Sequence, residues 1–231
     1  MKQMQKNLFQ RVLGYMTPFQ WMEVLAIIGF TAFFALTNTG DPWWYILIDA
    51  VTAVTGVFCV VLTAAGKRSQ FYWGFFNIAG YVVISFLGRL YGEVMLNAVY
   101  YLPLQFIGLY LWGKNAGEDG QVQGKRLPPA MVLAGAMAVG LAVLLYNQVL
   151  IALGGAITLL DSMSTVLSVV ANALMVMRYR EQWLLWIVVD VVSVIMWALA
   201  GDLIMTAMWA VYLVNACYGW CMWSRMSRQK A

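Results

Sequence analysis

The chain has 231 residues, of which 63% are hydrophobic and only 10% are charged, with a formal net charge of +4. Soluble domains carry roughly a quarter charged residues, so the composition predicts one polytopic membrane domain and excludes a separate soluble catalytic module. The basic residues occur singly or in pairs between apolar runs and histidine is absent, which excludes nucleic-acid binding, Ser-His catalysis and histidine-based zinc or proton-relay sites.

Apolar runs of about 18 residues or more recur along the chain and predict eight membrane-spanning helices. These spans lie near 20–38, 42–64, 69–87, 91–112, 129–151, 158–177, 182–200 and 203–223. Residues 1–17 show no cleavable signal pattern and are predicted to form an amphipathic helix on the inner membrane surface. The three cysteines, Cys59, Cys217 and Cys221, fall inside apolar spans and predict neither a disulfide framework nor a metal site.

The distribution of lysine and arginine predicts the orientation of the spans. With the N-terminus in the cytoplasm, all 14 Lys and Arg residues except Arg89 fall on the cytoplasmic side, as the positive-inside rule requires. A wrong number of spans would scatter these residues over both sides. The sequence therefore predicts that both termini are cytoplasmic.

Two stretches, 49–112 and 161–223, repeat one pattern at an offset of 111 to 113 residues. Each opens with an acidic residue in an apolar span, passes through a basic loop, and closes with Tyr-x6-Gly-x3-Trp. Between these points, Trp73-x3-Asn77 corresponds to Trp186-x3-Asp190. Both copies start outside and end inside, so they are parallel repeats, and the fifth span must return the chain between them.

The predicted fold is an all-α polytopic membrane protein with eight transmembrane helices. Two parallel three-helix bundles are joined by a linker helix, and one extra helix precedes them. The predicted segments are an N-terminal segment with the extra helix at 1–41, the first bundle at 42–115, the cytoplasmic loop and linker helix at 116–157, the second bundle at 158–224, and a cytoplasmic tail at 225–231.

Aromatic and polar side chains share one face of the third, fourth, seventh and eighth spans. Polar groups at membrane depth are costly and so face the bundle interior. There, aromatic rings would stack on a flat ring, amides would bond its edges, and a cationic ring would gain from the aromatic faces and from Asp190. The candidate substrate-binding residues are Trp73, Asn77, Tyr101, Gln105, Trp183, Trp186, Asp190, Tyr212 and Asn215. No catalytic residue, cofactor or metal ligand is predicted.

Structural roles compete with binding at several of these positions. Asn77 and Gln105 are equally consistent with bridging neighbouring helices. Gly108 and Gly219 are interpreted as packing glycines, because small residues let helices approach closely. Three tryptophans near span ends are as consistent with an interfacial aromatic belt as with the site: Trp112, Trp183 and Trp223.

Acidic and small polar residues also share one face of the second and sixth spans and would line a polar path. They are Asp49, Thr52, Gly56 and Thr63 in one span and Asp161, Thr165, Ser168 and Asn172 in the other. The favoured interpretation of Asp49 and Asp161 is a structural pair near the pseudo-axis. A remote alternative is an intramembrane aspartyl hydrolase using two of Asp49, Asp161 and Asp190, since such chemistry needs two carboxyl groups a few ångströms apart.

The order and spacing of these residues resemble the PnuC family of bacterial vitamin transporters. The stretches that carry the resemblance are GEVMLN at 92–97, LQFIG at 104–108, LDS at 160–162 and YREQWLLW at 179–186. The resemblance implies a bacterial inner-membrane carrier, not an enzyme, that takes up nicotinamide riboside. It also implies facilitated diffusion, made one-way by phosphorylation inside the cell.

The same resemblance implies the two three-helix bundles and linker helix of the SWEET sugar transporters, and assembly as a homotrimer. Relatives carry thiamine, riboflavin or deoxynucleosides, and these stay open as alternative substrates. The stretch at 104–108 is most similar to the nicotinamide riboside branch. Many members have Asn in the position of Asp190, and a carboxylate there also suits a pyridinium cation.

Overall fold

The computed structural model describes residues 16–37, 40–87, 94–117, 120–152, 154, 158–201 and 203–228. The amphipathic helix predicted at residues 1–17 therefore lies outside the described residues, apart from Met16 and Thr17, and so does Arg89, the basic residue predicted to face outward. The helices are α1 (Pro18–Thr37), α2 (Trp43–Ala64), α3 (Gln70–Leu87), a π-helical turn (Leu96–Tyr101), α4 (Leu102–Lys114), α5 (Pro129–Ala152), α6 (Thr158–Val176), α7 (Gln182–Ala200) and α8 (Leu203–Arg228).

The helix bounds confirm the predicted all-α fold with eight helical spans, the π-helical turn and α4 together forming the fourth. Six of the helices (α1, α2, α3, α5, α6 and α7) are long and apolar enough to cross a membrane by length and composition. Pro103 accounts for the break in the fourth span, because a proline lacks the backbone N–H and its ring clashes with the preceding helical turn. The π-helical turn at Leu96–Tyr101 lies immediately before it, and such turns are frequent at functional sites.

The packing of the helices follows the duplication in the sequence. Within the first repeat α2 packs on α3 and α3 on α4, and within the second α6 packs on α7 and α7 on α8. The last helix of each repeat also packs on the first helix of the other, α8 on α2 and α4 on α6. The extra helix α1 lies against α2 and α8, whereas the linker helix α5 lies against α6.

Two buried tryptophans join the repeats reciprocally. The indole N–H of Trp112 donates to the carbonyl of Met175 at 3.2 Å, and that of Trp223 donates to the carbonyl of Thr63 at 3.1 Å. Met175 and Thr63 are themselves repeat mates, 112 positions apart. Both tryptophans are fully buried, so the interfacial-belt interpretation is wrong for Trp112 and Trp223.

The packing interpretation of Gly108 and Gly219 is confirmed by their surroundings. A Cβ atom on Gly108 would lie 2.3 Å from the ring of Phe71, and one on Gly219 would lie 2.7 Å from the indole of Trp183. Real Cβ atoms do not approach other heavy atoms so closely, and the side chains of a packed interior have little room to move away. The absence of a side chain at each glycine thus lets the third helix of each repeat approach the second.

One end of the bundle, which we call the basic end, carries the turns 65–69 and 177–181 together with the connecting segment 120–127. At this end Val122 N–H donates to the carbonyl of Gly66 at 2.8 Å, and Lys125 N–H donates to the carbonyl of Arg178 at 2.7 Å. Gly66 and Arg178 are repeat mates and both have φ of 67°. The segment predicted as a polar loop is therefore a strap that ties the equivalent turns of the two repeats.

Candidate functional site

A cavity of about 580 Å³ lies between the two repeats, and we call it the central cavity. Residues from α2 through α8 line it. Its lining along α6 runs from Asp161 in the first turn to Met175 near the last, which is about 21 Å at 1.5 Å per residue. The volume falls within the usual range for small-molecule sites, roughly 300–1,000 Å³.

Eight of the nine candidate binding residues line the central cavity. They are Asn77, Tyr101, Gln105, Trp183, Trp186, Asp190, Tyr212 and Asn215. Asn77 and Asp190 come from the middle helices of the two repeats, and Gln105 and Asn215 come from the last helices. The shared helical faces thus bring both halves of the predicted site to one cavity.

Trp73 is the exception among the candidates, because it packs away from the central cavity. Its indole stacks on the ring of Phe58, with ring centroids 4.4 Å apart and an interplanar angle of 18°, and it does not line the central cavity. Its repeat mate Trp186 does line the cavity. The two halves therefore present different aromatic surfaces, because a phenylalanine from α2 covers the tryptophan of the first repeat.

The aligned positions Asn77 and Asp190 also differ in their partners. The side-chain amide of Asn77 donates to the carbonyl of Thr52 at 2.9 Å. Asp190 is only 2% exposed, and no hydrogen bond or ion pair joins its carboxylate to any residue that the structure describes. The first repeat thus places a paired neutral group where the second places an unpaired acidic one.

Several polar atoms of cavity residues have no hydrogen-bond partner among the described residues. They are Gln105 Oε1, Asn172 Oδ1, Asn215 Oδ1 and Trp183 Nε1. The orientation of the Asn215 amide is fixed because its Nδ2 donates to the carbonyl of Val60 at 3.0 Å. A buried polar atom without a partner costs about 1–3 kcal/mol. Three of these four atoms are acceptors, so a solute that brings hydroxyl or amide donors would relieve that cost.

The charged side chains that line the central cavity are all acidic among the described residues. Its charged lining residues among those described are the acidic Asp161 and Asp190, with no lysine or arginine beside them. The described residues also contain no cluster of three or more histidine, cysteine or acidic side chains that would hold a metal ion. The cavity therefore suits a neutral or cationic solute better than an anionic one.

The predicted polar path is present in part. Gly56 and Thr63 line the cavity, as do Asp161, Thr165, Ser168 and Asn172, but Asp49 and Thr52 do not. Asp49 is buried, whereas Asp161 is exposed and accepts a hydrogen bond from Thr165 at 3.5 Å. The two acidic residues thus have unlike surroundings, and only Asp161 lines the cavity.

Further cavity residues, which were not predicted from the sequence, lie on α5 and near the start of α8. Tyr146 and Leu150 of α5 line the cavity, and so does Trp209, one turn before Tyr212. The linker helix was expected only to return the chain across the membrane. The signal for Trp209 was available, since positions 209, 212 and 215 share a helical face, but α5 shows no polar stripe that would have marked its two residues.

A duplicated bundle of apolar helices around a polar and aromatic cavity defines a polytopic membrane carrier. A sequence model of the family described as "Nicotinamide mononucleotide transporter" matches residues 46–225. The chain belongs to this family of membrane transporters.

The comparisons with individual proteins agree with this assignment over nearly the whole chain. The "Nicotinamide riboside transporter PnuC" of Neisseria mucosa is 34% identical over 233 residues, covering 95% of this chain and 86% of that protein. The protein of the same name from Haemophilus influenzae is 32% identical, covering 96% and 97%. A solved structure described as "Crystal structure of the Vitamin B3 transporter PnuC" superposes with a TM-score of 0.82 at 32% identity, covering 96% and 97% of the two chains.

Proposed function

We propose that this protein carries nicotinamide riboside across the bacterial inner membrane by facilitated diffusion. The observation that carries the proposal is the central cavity, which joins aromatic surfaces, unpaired hydrogen-bond acceptors and two carboxylates in one space. Nicotinamide riboside offers the complementary groups: a flat cationic ring, a carboxamide and sugar hydroxyls. Relatives named for the riboside, with about a third of their residues identical to this chain, support the same substrate.

The charge of the cavity favours the riboside over the mononucleotide that appears in the family description. A phosphate group carries close to two negative charges near neutral pH and is bound in proteins by arginine, lysine or helix N-termini. The described lining of the cavity has no basic side chain, and Asp161 and Asp190 would repel an anion. We therefore infer that a nucleoside is accepted and its 5′-phosphate is rejected.

The aromatic side chains would hold the ring and the amides would hold the rest of the solute. We place the pyridinium ring against Trp186, with Trp183 beside it, since both indoles border the cavity. Gln105 and Asn215 would accept hydrogen bonds from the carboxamide and the sugar hydroxyls, because their side-chain oxygens have no partner among the described residues. Stacking on an indole contributes about 1 kcal/mol or more when the ring is cationic.

Movement of the solute would follow from rocking of the two repeats about the central cavity. No ion gradient is needed for this step, so phosphorylation of the solute inside the cell would make uptake one-way. We place the basic end, with both termini, in the cytoplasm, because loops rich in lysine and arginine stay on that side. Assembly of three copies in the membrane belongs to the same proposal.

The hydrolase alternative receives no support from the arrangement of the acidic residues. Aspartyl chemistry requires two carboxyl groups close enough to share a proton. Asp49 does not line the central cavity, and the exposed Asp161 bonds to Thr165 instead. We infer that the protein binds its solute and moves it without chemical change.

Calorimetric titration of the purified protein tests the proposal. Nicotinamide riboside should bind, whereas riboflavin, thiamine and deoxynucleosides should bind at least about tenfold more weakly. Trp186→Ala and Gln105→Ala should each weaken binding of the riboside about tenfold, because each removes roughly 1–3 kcal/mol of stacking or hydrogen bonding. Trp43→Ala is the matched control, since Trp43 is 76% exposed. Unchanged affinity in both cavity variants would show that the site lies elsewhere.

A further inference from the structure

Asp190 is a buried acidic residue, and no lysine or arginine lies beside it in the part of the cavity lining that the structure describes. It lies on α7 one turn after Trp186, lines the central cavity and is only 2% exposed. The charged residues around the same cavity, within the described part of the chain, are Asp190 itself and Asp161. An isolated carboxylate that leaves water loses several kcal/mol of solvation unless a positive group compensates it.

The first repeat shows that the fold does not require a carboxylate at this position. Asn77 occupies the matching place on α3, and its amide is already used by the carbonyl of Thr52 at 2.9 Å. A neutral side chain is therefore compatible with the same helix, the same preceding tryptophan and the same bundle. The carboxylate in the second repeat has no such partner among the described residues, which indicates a role toward whatever fills the cavity.

A cationic solute in the cavity would supply the positive charge that Asp190 lacks. We infer that Asp190 makes the carrier selective for the charge of the solute's ring, so that a cationic pyridinium nucleoside is preferred over the neutral dihydropyridine nucleoside with the same substituents. The inference rests on the proposed function and adds that the carrier distinguishes the oxidised form of its substrate from the reduced form. Asp190 acts here by direct charge attraction at the ring, beside the stacking surface of Trp186.

Size and hydrogen bonding alone would not separate the two solutes. The oxidised and reduced nucleosides share the sugar, the carboxamide and nearly the same ring outline, so the amides of the cavity meet the same donors in both. Stacking on tryptophan favours the cation only modestly at an exposed ring. A carboxylate in a site of low dielectric constant separates charged from neutral rings far more strongly, and this makes the ratio of affinities a specific readout of Asp190.

The test compares binding of nicotinamide riboside with binding of its 1,4-dihydro form, by calorimetry on purified protein. The wild-type protein should prefer the cationic riboside by at least about tenfold. Asp190→Asn, which reproduces the side chain of Asn77, should bring the ratio of affinities close to one, mainly by weakening binding of the cationic riboside. Asp41→Asn is the matched control, because it removes an exposed carboxylate that does not line the cavity and should leave the ratio nearly unchanged.

The possible results separate the role of Asp190 from the proposed transport of the riboside. Equal binding of both forms by the wild-type protein would overturn the role of Asp190 and leave riboside transport standing. An unchanged ratio in Asp190→Asn would overturn it as well. Binding of neither form by the folded wild-type protein would refute the proposed function itself. If Asp190→Asn fails to fold, Asp190→Ser removes the same charge, and thermal unfolding of each variant separates lost selectivity from lost structure.

Discussion

The close approach of α7 and α8 depends on the missing side chain of Gly219. A Cβ atom at this position would lie 2.7–2.8 Å from three atoms of the Trp183 indole. Trp183 has little room to retreat, because it is 3% exposed and packs edge-on against Trp223 at a ring-centroid distance of 6.2 Å. Gly219→Ala should therefore force the indole or the helix to shift, which costs about 1–3 kcal/mol in a packed interior.

The matched control separates this clash from the effect of alanine on the helix. Gly140 lies on the exposed side of α5, and a Cβ atom there would meet nothing within 4 Å. Both substitutions gain up to about 1 kcal/mol of helix propensity, so Gly219→Ala should be less stable than Gly140→Ala by the clash alone, about 1–3 kcal/mol. Because Trp183 also lines the cavity, Gly219→Ala should weaken binding of nicotinamide riboside as well.

Unfolding by denaturant in detergent, followed by tryptophan fluorescence, gives the free energies of unfolding of both variants. The comparison is made in the same detergent and without ligand, since a bound solute would stabilise the folded state. Equal stability of Gly219→Ala and Gly140→Ala would refute the reasoning. It would show that the contact between the two helices yields to a methyl group without measurable cost.

Two further predictions concern the basic end and the orientation of the chain. Arg178→Gly should raise the free energy of unfolding by up to about 1 kcal/mol, because φ of 67° strains a residue with a side chain. Gly66→Ala should lower the free energy of unfolding by a similar amount. A loss of stability in Arg178→Gly would show that contacts of the arginine side chain outweigh the strain. In intact cells, with the native cysteines replaced by serine, an impermeant thiol reagent should label a cysteine placed at Gly154 and miss one at Gly120, and the reverse pattern would contradict the proposed topology.

The architecture could be predicted from the sequence because membrane helices leave two strong signals. Length and apolarity give the spans, and the near-constant offset between Trp73–Asn77 and Trp186–Asp190 gives the duplication. Helical spacing also placed eight of nine candidate residues on the cavity. Helical spacing is informative here because a polar side chain at membrane depth is costly unless it faces the bundle interior.

Pairings between distant segments could not be predicted, because helical periodicity gives the face of a residue but not its partner. Phe58 covers Trp73 from another helix, and the indole of Trp112 bonds across the repeats to Met175. The strap was missed for a different reason. Its polar composition indicates a loop. Its attachment at Val122 is a hydrogen bond between backbone atoms, which does not depend on the type of side chain.

Transport into sealed proteoliposomes, with purified protein and no ion gradient, is the decisive test of substrate and mechanism. Nicotinamide riboside should equilibrate across the membrane, while nicotinamide mononucleotide, which carries the phosphate that the acidic cavity repels, should stay outside. Entry of the mononucleotide at a comparable rate would contradict the assignment of substrate. Accumulation of the riboside above its outside concentration under a sodium or proton gradient would contradict facilitated diffusion.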